Sequence, residues 1–114
     1  MRRALLSGLT VLLVGAGAVS AEQRTYSGQE AAALRCANTL AFTAVALESS
    51  GRLGETEKEI MLDITVRILD RHVSGTWRQK KEALRIVRDR RDVIETFEDF
   101  ERYANQCLVQ FPIN

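Results

Sequence analysis

The sequence predicts an all-α protein: a small three- or four-helix bundle stapled by one disulfide and preceded by a cleaved signal peptide. Three observations carry this. The stretch Glu30 to Leu47, EAAALRCANTLAFTAVAL, is apolar on nearly every side, and its twelve residues from Cys36 onward hold no charge; that is too short for a bilayer span and right for a helix sunk in a core. The spacing Ser/Thr-x-x-Glu/Gln, a helix-start signature, recurs at Ser27/Glu30, Thr56/Glu59 and Thr76/Gln79. The two cysteines, Cys36 and Cys107, both fall on apolar helical stripes, and the single proline, Pro112, stands almost at the end.

Met1-Arg2-Arg3 is a short basic segment, followed by the apolar run Ala4 to Val14 and a Gly/Ala-rich stretch ending Val19-Ser20-Ala21. Small residues at Val19 and Ala21 fit signal-peptidase spacing, so residues 1–21 read as a signal peptide cut before Glu22, with a cut before Ala21 as second choice. An uncleaved anchor fits worse, because Gly15 and Gly17 interrupt a run already shorter than the ~18 apolar residues of a span. Residues 22–114 then form one helical domain of periplasmic or secreted location. Removing Arg2 and Arg3 turns 16 basic residues into 14 against 15 acidic ones, a net charge of −1. That balance gives no electrostatic case for nucleic acid, and no stable membrane anchor remains after cleavage. In an exported chain an even pair of cysteines reads as a disulfide rather than two free thiols.

The first helix is expected over about 28–49, opened by Ser27 and Glu30. Ala33, Cys36, Leu40, Ala44 and Leu47 recur along its buried stripe. Ser49-Ser50-Gly51 ends it. A second helix, about 56–73, should open at the Thr56/Glu59 box and be mostly buried. Its polar edge is narrow, running through Glu59, Asp63, Arg67 and Asp70 with opposite charges one turn apart from Asp63 onward. A third, about 77–90, starts at the Thr76/Gln79 box with Trp77, Ala83, Leu84, Ile86 and Val87 inward. The last, about 92–110, carries Val93, Ile94, Phe97, Phe100, Ala104, Cys107 and Leu108 on a broad apolar face.

Residues 77–110 also read as one straight helix, which would be about 50 Å long. Its C-terminal end would then lie far from Cys36 in an up-down-up bundle and forbid an intrachain disulfide. A break near the charged run Arg88 to Asp92 solves this, because Asp92 with Glu95 is an adequate cap and the last helix can turn back along the first. Four helices are therefore favoured over one long helix with the second helix running crosswise, or with helices exchanged between two chains.

No residue pattern demands chemistry. His72 is the only histidine; without a serine, cysteine or second histidine placed to help it, a cation near a helix C-terminus is the simpler role. Glu95, Glu98, Asp99 and Glu101 point to several sides of one solvated face, with Arg91 and Arg102 at i,i+4 from Glu95 and Glu98. Phe97, Phe100, Tyr103 and Phe111 read as core, and Trp77 as a cap on the core's end or an exposed anchor. There is no glycine-rich phosphate loop, CxxC, CxxCH or HExxH, so no catalytic residue, metal or cofactor is expected.

The general plan looks like several unrelated periplasmic groups, among them acid-stress chaperones and small immunity or inhibitor proteins, without a shared motif. The leading expectation is a protein-binding module of the bacterial envelope, an inhibitor, immunity factor or adaptor, whose partner is another envelope or secreted protein. Its expected surface is Trp77 with Arg85, Arg88, Arg90 and Arg91. An acid- or envelope-stress chaperone is the alternative, and an enzyme or small-ligand binder the third reading. Monomer and helix-exchanged dimer both fit.

Overall fold

A computed structural model describes residues 24–114; the signal-peptide reading of residues 1–21 lies outside the described residues. Among the described residues four α-helices follow in order: α1 (Gly28–Ser49), α2 (Glu55–His72), α3 (Trp77–Arg90) and α4 (Val93–Gln110). α1 is the organising element, with each of the other three packed against it. The apolar composition of α1 explains this: Ala33, Ala37 and Ala44 are wholly buried, Leu34, Cys36 and Leu40 nearly so, and their small side chains let neighbouring helices approach on several sides. From the other helices, Ile68, Leu69, Val73, Ala83 and Phe111 complete the buried cluster.

The break between α3 and α4 is present, and no glycine or proline makes it. Arg91 leaves the helix at φ −103°, ψ 140°, and Asp92 follows in extended conformation as N-cap of α4. The Asp92 carboxylate accepts the Ile94 N–H at 3.4 Å, and Glu95 reaches back to the Asp92 N–H at 3.3 Å. Thr96, buried, donates its hydroxyl to the Asp92 carbonyl at 2.9 Å. With the corner so held, α4 runs back antiparallel to α1. Cys36 and Cys107 are disulfide-bonded with Cα atoms 5.7 Å apart, inside the normal range.

Of the three repeated boxes, only Thr76/Gln79 is reciprocal: the Gln79 N–H donates to Thr76 Oγ1 at 3.2 Å and the Thr76 N–H to Gln79 Oε1 at 2.9 Å. At Ser27 no side-chain cap forms, and the Glu30 carboxylate that would bond back to the Ser27 N–H instead accepts the Ser74 N–H at 2.6 Å. α2 starts one residue before its predicted cap: Gly54 is the N-cap, and Thr56 already lies inside the first turn. Glu55 and Glu57 there complement the helix dipole instead. α2 ends at His72, because Val73 turns extended.

The expectation that α2 is mostly buried needs correction. Only Thr65, Ile68 and Leu69 are buried in it, while Ile60 and Val66 stand out in solvent. α2 packs chiefly on α1 and is not wrapped by α3 and α4, so one side is dry. Its predicted wet edge does form, with Arg67 paired to Asp63 at 3.1 Å.

Candidate functional site

The arginines expected to form one surface are sorted by the fold into separate settings. Arg85 is tied to Glu82 at 2.6 Å and to Asp89 at 2.9 Å on the outer face of α3, and Arg88 reaches Asp89 at 3.5 Å. The Arg85 hydrogen bond and charge hold Glu82's carboxyl below its usual value. Such exposed pairs are worth little energetically and leave few free charges. Arg90 and Arg91 lie at the corner beyond, beside Arg35 of α1. Trp77 sits at the opposite end of α3, about 20 Å away along its axis, with 46% of its surface exposed, so it stands out from the core rather than capping it.

Arg91 pairs with Asp99 on α4 and not with Glu95, because Arg91 has left the helix and helical spacing no longer applies to it. Glu95 is used in the cap, and Glu98 and Glu101 are exposed. Among the described residues no cluster of three metal-ligating side chains exists. His72 is a structural clasp: its Nε2 lies 2.7 Å from the Pro112 carbonyl and its ring packs edge-on to Phe111 at 5.4 Å, fastening the C-terminal tail to the end of α2.

α4 is less buried than its sequence suggests. Thr96 is its only buried residue, Phe97 and Phe100 are half-buried, and Tyr103 is half exposed on the wall of a groove of about 380 Å³ between α1 and α4. The disulfide lies on the floor of that groove, and Arg35, Arg91 and Asp99 reach its walls.

The feature that sequence reasoning missed arises from helix length. α3 begins beside the start of α1, where the Tyr26 hydroxyl donates to the Ser74 carbonyl at 2.6 Å. Val87 and Arg90 of its last turn line one cleft with Leu34 and Arg35. With 14 residues against 22, α3 is about 21 Å long and α1 about 33 Å. Ala41 and Val45 share the α1 face of Leu34 to within about 20°, so that face outruns α3.

On α4, Val93 and Ile94 lie one turn before Phe97, and Phe97 packs edge-to-face on Phe42 with centroids 5.9 Å apart. In an antiparallel pair, Val45, one turn beyond Phe42, comes level with Val93 and Ile94. These three are 49%, 51% and 67% exposed. All three lie within about one turn of the Phe42–Phe97 pair along their own helices, toward the α3–α4 corner. The shortness of the third helix, 14 residues against 22 for the first, was the available signal, but it takes effect only once the helices dock.

Among the described residues no helix is long and apolar enough to cross a membrane. Comparison with protein-family models, curated proteins and solved structures finds no match.

Proposed function

We propose that the mature chain is an exported protein-binding module, an inhibitor, immunity factor or adaptor of the envelope, that docks its partner on an apolar shelf formed by Phe42, Val45, Val93, Ile94 and Phe97. The observation that carries this is the exposure of Val45, Val93 and Ile94 around a half-covered aromatic pair. Contiguous exposed apolar surface beside polar residues marks interaction sites in soluble proteins. Arg88 to Asp92, from the expected arginine surface, adjoin this shelf and form its charged rim, as in interfaces with an apolar centre. Export rests on the pattern of residues 1–21, with which an intrachain disulfide agrees.

A photoreactive residue at position 94 tests the reading in the native envelope. It should yield one crosslinked protein adduct. The same residue at position 109, which is 80% exposed near the other end of α4, should yield none. No adduct at 94, or the same adducts at both positions, would overturn the assignment.

One observation favours a second reading, the acid-stress chaperone. The Glu30 carboxylate ties the first turn of α1 to the junction before α3 through the Ser74 N–H, whereas α1 and α4 are joined covalently. Acid would loosen α3 first and uncover Leu34 and Ala83. Apolar-dye binding should then rise as the pH falls toward about 2, below the carboxylate range; a flat signal excludes this reading.

A further inference from the structure

A second cleft, of about 290 Å³, runs between α1 and α3. Its charged lining is Arg24, Arg35, Arg90 and Arg91, and among the described residues no carboxylate contributes to it. The floor is apolar, from Leu34, Ala83, Ile86 and Val87, of which Leu34 and Ala83 are buried. Two of the four guanidiniums are engaged elsewhere: Arg24 donates to Ser74 Oγ at 2.6 Å and lies over the Tyr26 ring, and Arg91 shares Asp99. Arg35 and Arg90 have no ion pair among the described residues. In a chain with nearly balanced charge, an arginine rim without acids over a hydrocarbon floor is a local asymmetry that the fold itself creates. It brings residues 24, 35, 90 and 91 together from three parts of the sequence.

From this we infer that the α1–α3 cleft binds a single-chain anionic amphiphile, an acyl chain headed by a carboxylate or a phosphate. The head would take the forked N–H donors of Arg35 and Arg90, which suit both anions, and the chain would lie over Leu34 and Val87. A free inorganic anion would leave the floor unused. An extended acidic peptide would meet the rim, but its backbone N–H and C=O groups would find no partners on aliphatic side chains. The volume is at the low end of the ~300–1,000 Å³ of ligand clefts, which favours one short chain over a diacyl lipid.

Titration calorimetry on the processed full-length chain tests this with dodecanoate and dodecyl phosphate, each below its micelle concentration. Dodecyl maltoside, inorganic phosphate and anionic phospholipid vesicles are the comparison arms. Saturable one-to-one binding of at least one anionic chain is expected, and the tighter of the two identifies the head group. The double variant R35Q/R90Q, exposed at both positions and checked by thermal melting, should weaken binding at least tenfold. Equal affinity for the maltoside, equal affinity for inorganic phosphate, binding to vesicles alone, no binding, or an unchanged affinity in the variant would each overturn the inference.

Discussion

The carboxylate of Glu30 accepts the backbone N–H of Ser74 at 2.6 Å, and this bond ties the first turn of α1 to the junction between α2 and α3. The Ser74 side chain, and then its N–H, hold the Glu30 carboxyl below its ordinary value. A depressed carboxyl stabilises the fold fully above the unfolded-state pKa, about 4.3, and loses that contribution as the pH falls through the lower folded value. Glu30→Gln should therefore melt below the parent at pH 7, and the gap should shrink on titration to about pH 3. A gap independent of pH would show that the ionised carboxyl plays no part.

The disulfide closes a loop spanning most of residues 24–114, with Cys36 and Cys107 separated by 71 positions. Replacing both cysteines with serine should lower stability by roughly 4 kcal/mol in the chain-entropy account. Denaturant unfolding of the variant against the oxidised parent measures this, and a loss under about 1 kcal/mol would contradict that account.

The cap at the Asp92 corner depends on the Asp92 and Glu95 side chains, so it is sensitive to their removal. Asp92→Ala should destabilise by about 1 kcal/mol, read as a shifted urea midpoint. An unchanged midpoint would mean that the α3–α4 break is held by packing of α4 on α1 without the cap.

Thr43 is 1% exposed, and its Oγ1 is buried without a hydrogen-bond partner. An unsatisfied buried hydroxyl is unfavourable, and an apolar group of similar shape relieves it. Thr43→Val should be neutral or stabilising by up to about 1 kcal/mol, measured by thermal melting. Clear destabilisation would reveal a polar partner for the hydroxyl in solution.

What the sequence made legible was the part fixed by local chemistry or by covalent constraint. The Thr76/Gln79 and Asp92/Glu95 caps were readable because both members act within one turn. The α3–α4 break was readable because one long helix would have kept Cys107 from Cys36. The Ser27/Glu30 and Thr56/Glu59 boxes look the same on paper and do not form. Glu30 is claimed by Ser74, 44 positions away, and Gly54 opens α2 ahead of Thr56. Burial was overread on α2 and α4 because an apolar stripe records what a helix can cover, whereas its neighbours' lengths decide what is covered. The shelf at Val45, Val93 and Ile94 and the arginine cleft at Arg35 and Arg90 both arise from where α3 stops, which no single segment encodes.

The central claim, that this domain exists to dock a protein partner, is tested most directly by native co-purification of the tagged, processed protein from the envelope of its own host, at neutral and at acid pH. One stoichiometric partner at neutral pH, lost from the variant Val93→Asp/Ile94→Asp, is the predicted result. No retained protein at neutral pH, with a heterogeneous set appearing only in acid, would contradict it.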